Sequence, residues 1–226
     1  MALGRRLPLA ALALLLVLAL AACGGGSKNS TAAQPTTTDA AGCRPVTPPA
    51  GKPRTESKPT KRLDQAKTYD VLIKTNCGNF TIRLAVKTSP ATTASFASLV
   101  QKRFFDGTVF HRIVPGFIIQ GGDPTGTGTS GPGYTTVDVP AASTRYTLGV
   151  VAMAKTGAEP PGTAGSQFFV VTAQNAGLPP DYAVLGHVVK GQATVATIGE
   201  LGDPTSGGQG VPTETVEIEK ATLTVH

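Results

Sequence analysis

From position 68 onward, apolar positions recur with two different periods. Residues 69–75 (Tyr-Asp-Val-Leu-Ile-Lys-Thr) and 79–84 (Asn-Phe-Thr-Ile-Arg-Leu) largely alternate apolar and polar side chains, the period of a half-buried strand. Asn76-Cys77-Gly78 between them supplies the residues of a hairpin turn. Ser89-Pro90 reads as an N-cap followed by Pro at the first helical position. Residues 91–104 then place Phe96, Leu99, Val100 and Arg103 at helical spacing. Further short strands are expected at 109–114, 117–120, 148–153, 167–171 and 183–189. Residues 191–201 form a second short helix with Val195, Ile198 and Leu201 on one face, and residues 215–225 close as a strand. Eight strands and two helices predict a mainly β fold: a closed eight-stranded antiparallel barrel capped by the two helices.

Composition agrees with that architecture and narrows the function. Charged residues are only 15% of the 226, which disfavours coiled coils and long solvated helices, and 27 glycines with 18 prolines demand many turns. The net charge of +6 is confined to the ends. Residues 43–67 carry seven basic side chains against Glu56 and Asp64, whereas residues 68–226 carry ten basic against eleven acidic. A folded part so nearly neutral offers no nucleic-acid footprint, and the basic stretch reads as a solvated segment near an anionic membrane surface.

Arg5 and Arg6 precede an unbroken apolar run of fourteen residues, 9–22. A membrane span needs about 20, so the run fits the core of a signal peptide. It ends in Leu20-Ala21-Ala22-Cys23 and resembles the bacterial lipobox, in which that Cys is acylated and becomes the first mature residue. The alternative is an ordinary secretory signal with a chance Cys. The resemblance implies residues 1–22 as a lipoprotein signal peptide, lipidation at Cys23, and a protein anchored outside the cytoplasm on the cell membrane. Residues 23–67, the acylated Cys and a Pro-, Thr- and Lys-rich stretch without aromatics, are expected to be a disordered tether that leads into a domain over 68–226. Outside the cytoplasm the remaining pair, Cys43 and Cys77, is a candidate disulfide, the alternative being two unpaired thiols.

Several catalytic motifs fail on context. Gly126-Thr-Gly128-Thr-Ser-Gly131 matches a dinucleotide fingerprint, yet Pro132-Gly133 follows where a phosphate-binding helix should start. His111, His187 and His226 lack zinc-site spacing, so no metal or other cofactor is expected. Ser166 lacks the second Gly of a nucleophile elbow.

Four blocks remain: Phe110-His-Arg-Ile-Val-Pro-Gly-Phe-Ile-Ile-Gln-Gly-Gly-Asp123, Gly149-Val-Val-Ala-Met-Ala-Lys155, Gly165-Ser-Gln-Phe-Phe-Val-Val-Thr172 and Tyr182-Ala-Val-Leu-Gly186. In this order they closely resemble the cyclophilin family of peptidyl-prolyl cis–trans isomerases, over about residues 69–225. The family is an eight-stranded barrel with a helix at each end. The resemblance implies Arg112 as the catalytic residue, with Gln120 and Gln167 orienting it or binding substrate. Phe117, Met153, Phe169 and Leu178 would form the proline pocket, with Ile118 where a Met is frequent. The Ala154 and Lys155 backbone would pair with the substrate strand, and Tyr182 would stand at the rim where many members have His. The family's Trp is missing, with Gly177 nearest its place, so tight cyclosporin binding does not follow. The expected partners are proline-containing exported or unfolded polypeptides, met by a monomer. A non-catalytic module that holds Pro-containing envelope segments is the alternative.

Overall fold

The computed structural model describes residues 42–226; the expected signal segment, Cys23 and the stretch up to residue 41 lie outside the described residues. Strands β1 (Tyr69–Thr75) and β2 (Gly78–Leu84) form the first hairpin, with Thr75 opposite Gly78 and only Asn76 and Cys77 between them. Asn76 ties this turn to distant chain. Its side-chain amide donates to the Arg44 and Thr215 carbonyls at 2.8 and 3.0 Å, and its oxygen accepts the Glu217 N–H at 2.8 Å.

Helix α1 (Pro90–Gln101) starts where expected, but Ser89 makes no side-chain cap bond. Asp138 does that work from a remote loop, accepting the Thr92 N–H at 2.6 Å. The helix also ends before the expected Phe104. Arg103 adopts a left-handed φ of 59°, and the Phe104 N–H turns back to the Leu99 carbonyl.

Next come β3 (Thr108–Val109), β4 (Arg112–Val114) and β5 (Ile118–Gly121). Two very short strands, β6 (Thr136–Val137) and β8 (Thr163–Ala164), pair only with each other. Strands β7 (Val150–Met153), β9 (Phe168–Val171) and β10 (Val184–Lys190), helix α2 (Gln192–Gly199) and β11 (Glu217–Val225) complete the chain. The main sheet runs β3-β11-β1-β2-β10-β7-β9-β5-β4. Its two edges, β3 and β4, are halves of the single strand expected over 109–114, broken at Phe110-His111. One half pairs with β11 and the other with β5, so the antiparallel sheet curls round on itself through this strand. Counted as one, the halves leave the eight strands of the sequence reading. The β6–β8 ladder was not expected, because two residues carry no readable period.

Alternation decides what is inside. The cross-strand partners Ile113, Ile119, Val170 and Val151 are all fully buried in the barrel interior. Around them Phe168 meets Phe96, Phe110 and Phe105 nearly edge-on at 5.4, 5.9 and 6.0 Å. Such pairs contribute about 0.5–1.5 kcal/mol each beyond the area they bury. Helix α2 packs Val195 and Ile198 into the core. Gly191 stands just before it as N-cap, where φ is 78° and a Cβ would fall 2.2 Å from the Asn79 carbonyl oxygen, so only glycine fits.

Residues 43–67 depart most from expectation. They lack regular structure, yet they are laid along the domain instead of leading away from it. Cys43 is fully buried and bonded to Cys77, S–S 2.05 Å. The Lys52 and Glu56 N–H groups donate to the Pro124 and Pro132 carbonyls at 3.0 and 2.9 Å. Leu63 packs against the core. Absence of aromatic side chains does not prevent docking when a disulfide and backbone donors supply the attachment.

Candidate active site

On the outer face of the sheet one row of directly opposed residues crosses five strands: Arg112 (β4), Gln120 (β5), Phe169 (β9), Ala152 (β7) and Val184 (β10). Opposed residues of neighbouring strands project to the same side, so the pairing register alone brings these groups together. Around Phe169 lies a second apolar cluster, separate from the barrel interior. Ile118, Tyr146, Val150, Ala152 and Val171 are buried there, and Phe117, Ala154, Leu178 and Tyr182 are half-buried against them.

Tyr146, which the sequence reading missed, organises that cluster. Its hydroxyl donates to the Tyr182 carbonyl at 2.6 Å and accepts the Tyr182 N–H at 2.9 Å. The rings of Tyr146, Phe169 and Tyr182 form a triangle with centroids 5.5–6.3 Å apart. Burial pushes the Tyr146 phenol up to about 12. No sequence motif surrounds this tyrosine; its role exists only because residues 146 and 182 meet. Lys155 rests its ammonium 5.7 Å from the centre of the Tyr182 ring.

Arg112 is half-exposed, and its guanidinium is fixed from one side. Nε donates to the Gln209 carbonyl at 3.2 Å and Nη2 to the Gly208 carbonyl at 3.1 Å. The loop presenting those carbonyls is itself tied. Asp203 caps the short 3-10 turn Pro204–Ser206 through the Thr205 N–H, and the Ser206 hydroxyl donates to the Asp203 carbonyl at 2.7 Å and accepts the Gly210 N–H at 3.1 Å. Gln120 does not hold Arg112, contrary to one expectation. Its amide donates to Gln167 Oε1 at 3.1 Å, and Gln167 in turn donates to the Ser130 carbonyl at 3.0 Å.

Met153 is the second correction. It packs in the barrel interior with Val151 and Phe168, while Ala152 and Ala154 face the outer cluster. All four residues of β7 are buried, so the sequence offers no polar alternation from which to read the face. The Ala154 N–H is also committed, to the Gln167 carbonyl at 2.9 Å. Ser166 is a structural group, donating to the Gly122 carbonyl at 2.7 Å.

A cavity of about 470 Å³ adjoins the row at Gln120, and is lined as well by that residue's partner Gln167 and by Ala154 of the apolar cluster. Its other wall is the Gly-rich loop 128–135. Asp123 gathers that loop, accepting the Thr125 and Ser130 N–H groups at 2.7 and 3.1 Å. Burial pushes its carboxyl up, but the donors from Ser130 and Thr125 outweigh it and hold the group below the usual carboxylate range. At His111, next to Arg112, burial lowers the imidazole below its ordinary value against the opposing pull of Asp123.

The family model described as cyclophilin type peptidyl-prolyl cis-trans isomerase/CLD matches residues 70–223. The chain belongs to the cyclophilin family. A peptidyl-prolyl cis-trans isomerase-like 1 of Neurospora crassa is 39% identical over 156 residues, 67% of this chain and 92% of the relative. Peptidyl-prolyl cis-trans isomerase A of Mycobacterium tuberculosis is 34% identical over 172 residues, 69% and 92% of the two chains. A crystal structure of a Cryptosporidium parvum cyclophilin type isomerase superposes with a TM-score of 0.62 at 30% identity, covering 70% of this chain and 98% of that one. The same protein has been solved in the presence of the dipeptide Ala-Pro, with the same TM-score. The curled sheet and the two helices are thus those of a cyclophilin, and the enzyme class is peptidyl-prolyl cis–trans isomerase. In this cyclophilin, residues 43–67 precede the matched region altogether.

Proposed function

We propose that this cyclophilin accelerates X–Pro isomerisation in exported polypeptides at the outer face of the cytoplasmic membrane, held there by acyl chains on Cys23. Rotation about an X–Pro bond requires no covalent intermediate, only loss of amide resonance, which supports a barrier of about 18–20 kcal/mol. The apolar cluster around Phe169 grips the prolyl ring. Arg112 then donates to the prolyl nitrogen as it becomes pyramidal in the twisted state. A donor already oriented by the Gly208 and Gln209 carbonyls spends no reorganisation energy at that moment, so it favours the transition state over either ground state.

The observation that carries this reading is the single cross-strand row joining Arg112 and Gln120 to Phe169 beside a half-open apolar cluster. A protease-free isomerisation assay on the full chain tests the chemistry. A chain that binds Pro peptides without speeding their exchange would be a holding module instead. For the location, the lipobox-like run ending at Cys23 is the support. Between Cys23 and Cys43 the chain can span at most about 70 Å, so attachment keeps the domain close to the bilayer. Cys23→Ser should move the protein from the membrane to the soluble fraction; wild type that is already soluble with an unmodified Cys23 would refute the anchor.

A further inference from the structure

We propose that residues 51–58 are an intramolecular brace that sets the far wall of the 470 Å³ cavity and so determines how tightly peptide residues flanking the proline are held. The inference rests on reading the outer row as a peptide-binding cleft. Loop 124–135 has four glycines, of which Gly126, Gly128 and Gly133 have positive φ. Glycine loses more conformational entropy on ordering than any other residue, so such a loop needs ties. Inside, Asp123 and Gln167 tie it at Thr125 and Ser130.

Outside, the brace touches it at both ends and near its middle. The Lys52 N–H donates to the Pro124 carbonyl at 3.0 Å, the Glu56 N–H to the Pro132 carbonyl at 2.9 Å, and Lys58 Nζ to the Thr135 carbonyl at 2.8 Å. Gly51 lies so close that a Cβ would fall 2.1 Å from the Thr125 carbonyl oxygen, and Thr55 covers Gly133. The brace is anchored in turn to the end of α1. Arg54 donates to the carbonyls of Phe104 and Asp106, and Glu56 pairs with Lys102 at 2.7 Å. Pro132 and Thr135 thus have the brace on one side and the cavity on the other. None of these brace residues lies within the region matched to the family, 70–223.

The test uses the full chain, with Gly51→Ala to push the brace off the loop and Arg54→Ala/Lys58→Ala to untie it. Two substrates are compared by magnetisation-exchange NMR: an N-capped Ala-Pro dipeptide, and an octapeptide with Ala-Pro at its centre. Both variants should raise KM for the octapeptide by about three- to tenfold, the worth of one or two lost hydrogen bonds, with kcat unchanged. KM for the dipeptide should stay within about twofold, and amide-exchange protection across 124–135 should fall while that of β1, β2 and β11 is retained. Unchanged octapeptide KM, or unchanged protection of 124–135, overturns the brace. If wild type turns over neither substrate, the isomerase reading fails. The brace is then judged by octapeptide binding in the same spectra, where equal affinity of wild type and variants overturns it.

Discussion

Arg112→Lys is the most informative perturbation of the proposed chemistry, because it keeps the charge and removes the geometry. The guanidinium uses Nε and Nη2 to hold the Gln209 and Gly208 carbonyls, leaving Nη1 without a protein partner among the described residues. A planar fork can be held and still donate elsewhere. An ammonium is a point charge: drawn to the two carbonyls it withdraws from the substrate, and reaching the substrate it leaves the carbonyls unpaired. A hydrogen bond from a charged donor is worth about 1.5–3 kcal/mol, which at about 1.4 kcal/mol per decade predicts a ten- to hundredfold loss. Because the bond strengthens only in the twisted state, the loss belongs to kcat, and Arg112→Ala should fall only slightly further. Uncatalysed exchange takes minutes at 10 °C, so a protease-free assay at that temperature leaves a wide window for measuring residual activity. Circular dichroism and thermal unfolding check that both variants fold. Arg112→Lys with more than half the wild-type kcat would refute the held-fork argument, and a loss from Arg112→Ala lying wholly in KM would remove Arg112 from the chemistry.

Tyr146→Phe leaves both Tyr182 backbone groups without their partner and should cost about 1.5–3 kcal/mol in chemical denaturation while raising KM; no change in either would show that water replaces the hydroxyl. Cys43→Ser/Cys77→Ser opens a link of sequence separation 34 and should cost about 3–4 kcal/mol by the loop-entropy relation, read as a lower denaturation midpoint that reduction of wild type should reproduce. Asp123 is held below the usual carboxylate range, so its stabilisation of loop 124–130 is complete above about pH 4, the unfolded value, and disappears as pH falls through the lower folded one. Protection factors of the Thr125 and Ser130 amides should fall below pH 4, and Asp123→Asn should abolish that dependence.

What the sequence by itself determined was whatever rests on local pattern. The first hairpin follows from alternation around a turn, and Arg112, Phe117, Ile118 and Gln120 lie in one continuous block whose own hairpin, β4–β5, fixes their register. Any chain with those residues in that order meets the same physical constraint, so half of the site was legible without coordinates. Only the tertiary structure decided the rest. Met153 went inward because β7 is apolar on both faces, leaving parity to be settled by its pairing with β9. Tyr146 became an organiser through a contact with Tyr182 across 36 positions. The groups holding Arg112 are backbone carbonyls, which every residue has and no composition can mark. The lack of aromatic side chains over residues 23–67 predicts a tether, but a buried disulfide and backbone N–H groups dock its described part, residues 43–67, on the domain. The cysteine pair was already marked as a candidate by the sequence, and the structure closes it; the backbone donors were not legible, because every residue but proline carries an N–H and composition counts side chains.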